Sequence, residues 1–132
     1  MLKPDPALRN GYKDKAHLAM VAKLPCLICL LTKAKQKTRT TVHHYHGGGL
    51  GLKASDLRVM PLCDSHHQNG QFAFHKIGRI AFEEKFTSQE ELIYITNKIL
   101  NNETVRELLQ SDRRFDKIIL QEVLQGFLQL PS

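Results

Sequence analysis

At 132 residues with 42% hydrophobic content, the chain has room for one compact domain, or one small domain with an appendage. Its formal charge of +6 sits on the first part: residues 1–86 hold 14 Lys/Arg against 6 Asp/Glu, while residues 87–132 hold 5 against 7. The start, MLKPDPALRNGYKDK, lacks the apolar stretch of a signal peptide, and nowhere does an uninterrupted run of about 18 apolar residues occur, so the expectation is a cytoplasmic protein. Three cysteines, an odd number, speak against a disulfide framework and for metal or free thiol.

Residues 14–24, DKAHLAMVAKL, carry the spacing of a short amphipathic helix that Pro25 ends. The next residues, CLIC, predict the tight bend of a zinc knuckle, with Cys26 and Cys29 as its donors. In residues 32–42, TKAKQKTRTTV, the cations Lys33, Lys35, Lys37 and Arg39 recur at period two. An extended strand would present all four on one face as a phosphate-facing ribbon, whereas a solvated basic loop is the plainer reading of any one of them.

Four glycines in the five positions 47–51 exclude regular structure there and permit close backbone approach. LRVMPLC, 57–63, predicts a short strand, and His66 to Phe86 a helix interrupted near Asn69-Gly70. Beyond residue 86 the material changes. Thr87 and Ser88 ahead of Glu90 and Glu91 mark a helix N-cap with a capping box, and Leu92, Ile95 and Ile99 recur at helical spacing. A second helix start near Ser111-Asp112 leads into Phe115, Ile118, Ile119, Leu124, Phe127 and Leu128, with room for a short helix between. Two parts are therefore expected, 1–86 and a helical extension 87–132. The extension packs as plain core helices on the first part, or forms a homodimer interface, a dock for a recombination or replication protein, or a lid.

Six of the seven histidines lie between 43 and 75, and all three cysteines between 26 and 63, a density that points to metal. Cys26-x2-Cys29 and Cys63-x2-His66 form two knuckles, a Cys3His set suited to a closed, structural tetrahedral Zn2+ site. His67 must point away from that ion, because adjacent residues on a helix or turn face differently. His75 lies eight positions on, near two helical turns, and returns to the side of His67. His43 and His44 diverge if the chain is extended, so that one can bind an ion while the other faces water. This predicts a second, catalytic site opened by His67.

A histidine pair in a hairpin, a strand ending in LC, and C-x2-H-H leading into a helix resemble the HNH, or ββα-metal, nucleases. More narrowly, LPCLIC…VHHYHGGGLGLKASDLRVMPLCDSHH with the later His75 and FEE looks like the phage and prophage HNH proteins of the recombination-enhancement (Ref-like) type. The resemblance covers about residues 18–86 and leaves the extension unrecognised. It implies that His43 is a metal ligand and His44 the general base, with His67 and His75 completing the catalytic divalent-ion site. The middle asparagine of the family has no counterpart at the commoner spacing; Asp56 in KASD stands nearest, either to orient the base or as a turn residue. Lys53 and His46 are candidate phosphate contacts beside a glycine-rich turn.

The resulting expectation is an α+β fold, a zinc-stabilised ββα-metal core between an N-terminal helix and a C-terminal helical extension. The expected function is metal-dependent, weakly sequence-specific hydrolysis of DNA, with Mg2+ or another divalent ion and His44 as base. Lys33, Lys35, Lys37, Arg39 and Lys53 would hold the DNA backbone. A softer all-histidine shell favours manganese, nickel or zinc over magnesium. The competing readings are a zinc-stabilised nucleic-acid-binding module without turnover and a metal-dependent hydrolase of small substrates.

Overall fold

Strands β1 (Thr40–His44) and β2 (Val59–Cys63) run antiparallel, with Thr40 opposite Cys63 and His44 opposite Val59. They are the frame of a mixed α+β fold seen in a computed structural model, which describes residues 5–47, 53–111 and 125–126. A 3-10 turn, Pro6–Leu8, precedes helices α1 (Lys15–Ala22) and α2 (Leu27–Thr32). After β2 come three short helices, α3 (Asp64–His67), α4 (Phe74–Ile77) and α5 (Arg79–Lys85), and then α6 (Gln89–Leu100) and α7 (Glu103–Ser111).

Every residue of β2 is buried, in contact with α1, α2, α3 and α6. Leu27, Ile28, Met60, Leu62, Phe82, Leu92 and Ile99 are fully buried in one hydrophobic cluster. Burial of each such side chain contributes about 1.5–3 kcal/mol. The cluster draws on both sides of residue 86, since Leu92, Ile95 and Ile99 of α6 pack with Met60, Leu62 and Phe82.

Local chemistry explains the element ends. Asp14 caps α1 by accepting the His17 N–H, and Ser88 caps α6 by accepting the Glu91 N–H. The helix expected over 14–24 stops at Ala22. The stretch Lys15–Thr32, apolar enough over 18 residues to resemble a membrane span, is folded as two separate helices packed into the core.

One expectation fails and two are extended. CLIC is more than a bend: Cys26 caps α2 through its sulfur and Cys29 lies within that helix. The basic ribbon over 33–39 does not form. Lys33 ends α2 in the left-handed region at φ 59°, and the strand begins only at Thr40. The break expected near Asn69-Gly70 is present, and a second one occurs at Gly78, whose φ of 86° suits glycine. Most of the helix expected from Ser111-Asp112 onward and most of the glycine run 47–51 lie outside the described residues.

Candidate functional site

The two knuckles meet. Cys29 Sγ lies 3.8 Å from Cys63 Sγ, and His66 Nδ1 lies 3.6 Å from the sulfurs of Cys26 and Cys29 and 3.2 Å from that of Cys63. A tetrahedral zinc ion, with bonds of about 2.3 Å to sulfur and 2.0–2.1 Å to nitrogen, requires sulfurs about 3.8 Å apart and sulfur–nitrogen separations of about 3.6 Å. Three of the four distances meet that requirement and the fourth is tighter. The Cys29 N–H points at Cys26 Sγ, orienting that sulfur, as α2 begins here. Hydrogen bonding with Cys26 and Cys63 pushes the Cys29 thiol up, Cys26 and Cys29 hold Cys63 down, and Cys26 and Cys63 push His66 up to about 9. Sulfurs crowded this closely compete for protons, and a dication removes the competition by favouring thiolate at each. The four residues can hold a metal such as zinc.

A second donor set consists of His43, His67 and His75, whose candidate ligand nitrogens lie within 4.8 Å of one another. Strand alternation puts Thr41 and His43 on one face of β1, and His67 comes to that face from α3. His67 and His75 come to one side as expected, but by a reversal of the chain rather than by two turns of helix. The chain reverses between α3 and α4 at Gly70, where a Cβ would sit 1.9 Å from the Ser65 carbonyl oxygen, and the reversal brings the rings to 5.0 Å.

The hydrogen bonds around His67 fix its tautomer. Thr41 donates its single hydroxyl proton to the Leu62 carbonyl at 2.7 Å, so at 2.8 Å it can only accept from His67 Nδ1–H. The lone pair of His67 therefore resides on Nε2. Burial and then the charge of His75 hold His67 down to about 4; burial, against a Gln89 hydrogen bond, holds His43 down to about 3; burial also lowers His75. At neutral pH these are uncharged imidazoles with lone pairs to offer, a donor set that fits a divalent transition ion better than magnesium. His43 and His67 are buried, while His75 is exposed and marks the open side.

His44, next along β1, diverges from His43 as an extended chain requires. Its Nε2 lies 2.7 Å from Asp56 Oδ1, and the other Asp56 oxygen accepts the Asp14 N–H at 2.8 Å. Burial raises the Asp56 carboxyl, but those two hydrogen bonds and the charges of His44 and Lys13 outweigh it and hold the group below its ordinary value. Asp56 is thus a carboxylate that orients His44, in a turn that also ties Asp56 N–H to the Tyr12 carbonyl.

Lys33, Lys35, Lys37, Arg39 and Lys53 are all exposed. Lys35, Lys37 and Arg39 keep their alternation without a strand because the residues between them turn inward. Gln36 accepts the Cys26 N–H and donates to Thr38 and Thr40, and the Thr38 hydroxyl accepts the Ser65 N–H. Sequence reasoning missed the neutral supports, namely Thr41 behind His67, Gln36 behind Cys26, and the fully buried Gln89, which reaches His43 from α6. The capping signal of α6 locates Gln89 at a helix start, but nothing local shows what its side chain touches.

Residues 1–103 match the profile of a family described as "Protein of unknown function (DUF968)", and the chain belongs to that family. It is also similar to the uncharacterized protein YdfU of Escherichia coli (strain K12), 38% identical over 92 residues, which covers 67% of this chain and 23% of YdfU. The match thus involves less than a quarter of that relative's length. No solved structure matches the chain.

Proposed function

We propose that this member of the DUF968 family is a metal-dependent DNA endonuclease of the HNH type, related in its motif order to the phage and prophage recombination-enhancement nucleases. The observation that carries the reading is the division of labour between adjacent histidines. His66 belongs to a closed Cys3His set while His67 belongs to an open three-histidine set, and His43 enters that set while His44 is held by Asp56. A module that only binds has no use for the second set or for an oriented, partly exposed imidazole beside it.

In this reading Cys26, Cys29, Cys63 and His66 hold a structural zinc ion, and His43, His67 and His75 hold a catalytic divalent ion. When bound, that ion supplies charge neutralisation at the scissile phosphate and at the departing 3′ oxygen. The protein's own residues manage the proton. Asp56, a carboxylate, can only accept, so His44 donates from Nε2 and keeps its lone pair on Nδ1. His44 Nδ1 takes a proton from water as the water oxygen attacks phosphorus. The P–O3′ bond breaks, and the 3′ oxygen is protonated from solvent. The exposed Lys35, Lys37, Arg39 and Lys53 contact the phosphate backbone, which carries no base information.

Nicking of supercoiled plasmid by wild type and His44→Ala, with manganese or magnesium and an EDTA control, tests the reading. Metal-dependent nicking lost in a folded His44→Ala protein is the expected result. DNA binding without cutting by either protein would replace the nuclease with a zinc-stabilised binding module.

A further inference from the structure

Resting on the reading of His43, His67 and His75 as a divalent-ion centre, we propose that Gln89 is the positioning residue of that centre, fixing which nitrogen of His43 faces the ion. Helix α6 then supplies part of the site although it lies outside the motif-bearing region.

Gln89 is fully buried at the first position of α6. Two anchors hold it there. Its backbone N–H donates to Glu83 Oε2 at 2.7 Å, and its side-chain amide pairs with the backbone of His46. In that pair Gln89 Nε2 donates to the His46 carbonyl, and the His46 N–H donates to Gln89 Oε1, both at 2.9 Å. A backbone carbonyl only accepts and a backbone N–H only donates, so the amide has one permissible orientation. The atom facing His43 Nε2, 2.9 Å away, is therefore the amide oxygen, which cannot donate. His43 must carry its proton on Nε2 and its lone pair on Nδ1.

The consequence for the centre is direct. A histidine ligand with its other ring N–H held by an oxygen is fixed in tautomer and ring orientation, and losing such a partner typically lowers metal affinity about 10–100-fold. His67 is held in the complementary sense by Thr41, so two ligands are set by neutral oxygens from different elements. The same amide also fixes the backbone at His46, whose exposed ring lies 6.0 Å from that of His75 on the open side. Gln89 thereby sets both the inner ligand and one wall of the entrance.

The test is cobalt titration of the full chain as wild type, Gln89→Glu and Gln89→Met. Thiolate-to-cobalt charge-transfer absorption reports the Cys3His set and hence the fold, and the second equivalent reports the histidine centre. Glutamate, protonated on the oxygen that faces the His46 carbonyl, keeps that donor and an acceptor for His43 Nε2–H, whereas methionine removes both. The expected result is two equivalents in wild type, a second equivalent weakened about 10–100-fold in Gln89→Met, and near-wild-type affinity in Gln89→Glu. Undiminished affinity in Gln89→Met overturns the proposal, as does an equal loss in both variants, which would mark Gln89 as packing alone. A single equivalent in wild type instead removes the three-histidine centre itself. If Gln89→Met fails to fold, imidazole 15N shifts of wild-type protein holding one equivalent of zinc decide the matter: an Nε2–H tautomer at His43 is expected, and an Nδ1–H tautomer overturns the assignment.

Discussion

Asp56 Oδ1 lies 2.7 Å from His44 Nε2, and the same carboxylate accepts the Asp14 N–H through Oδ2 at 2.8 Å. The His44 ring is thus held from one side by an acceptor that is itself held in place. Replacing Asp56 by Asn keeps the shape but supplies an amide that can donate to Nε2, which drives the proton of His44 to Nδ1. We expect Asp56→Asn to lower plasmid nicking about 10²–10⁴-fold, comparable to the loss of a general base, with metal content unchanged. Single-turnover nicking alongside metal analysis checks this. Activity within a few-fold of wild type would reduce Asp56 to a turn residue.

Gly70 sits where a Cβ would meet the Ser65 carbonyl oxygen at 1.9 Å, and the obstacle is backbone rather than a movable side chain. Gly70→Ala must open the turn between α3 and α4, which brings His75 to His67. The expected cost is about 1–3 kcal/mol in urea unfolding, typical of overpacking, together with a weaker second metal equivalent. An alanine variant of unchanged midpoint and unchanged second affinity would show that the turn relaxes freely.

Part of this architecture was legible in the sequence because its causes are local. A Cys or His three positions after a cysteine brings two donors together within one turn, so Cys26, Cys29, Cys63 and His66 could be assigned to one ion, as their mutual distances now allow. Strand alternation separated His43 from His44 by the same logic. What could not be read depends on distant partners. Gln89 lies 46 residues from His43, and a neutral amide gives no compositional signal. The eight-residue spacing of His67 and His75 suggested that helical turns return both to one side, whereas a reversal at Gly70 brings them together. The alternation of Lys33, Lys35, Lys37 and Arg39 suggested a strand, but Lys33 belongs to a helix end, and inward hydrogen bonds of Gln36 and Thr38 produce the exposure pattern of the other three.

The Cys3His set ties α2 to the junction of β2 and α3, with Cys26, Cys29 and Cys63 all buried. Structural sites of this kind contribute about 10–16 kcal/mol of apparent zinc-binding energy in zinc-finger peptides, as much as a small domain's whole stability. Cys63→Ser should therefore lose zinc and the cooperative thermal transition together, and strong chelation of the wild type should do the same. A Cys63→Ser protein that melts cooperatively near the wild-type temperature would show that the core stands without the ion.

Lys35, Lys37 and Arg39 form an exposed set beside the Cys3His residues, and in the proposed reading their contacts to phosphate release counterions. Changing all three to Glu should weaken DNA binding uniformly across sequences. The slope of log affinity against log salt should also fall, by about 0.9 for each lost contact to duplex phosphate. An unchanged slope would place the DNA path elsewhere.

Burial holds His43 down to about 3 and His67 down to about 4, against an ordinary 6.5. Between pH 6.5 and those values the unfolded chain binds protons that the folded chain refuses, so stability falls as the pH is lowered through this window. Above 6.5 both states carry neutral rings, and these two residues contribute no slope. In protein holding one equivalent of zinc, the imidazole Cε1 resonances of His43 and His67 should stay put from about pH 7.5 to about 5.5, the range over which an ordinary imidazole gains its proton. Over the same range, replacing either residue with glutamine should make the unfolding free energy less sensitive to acid. Resonances that titrate with midpoints near 6.5 would mean that water reaches both rings, and that the three-histidine set is a solvated cluster rather than a preformed site for an ion.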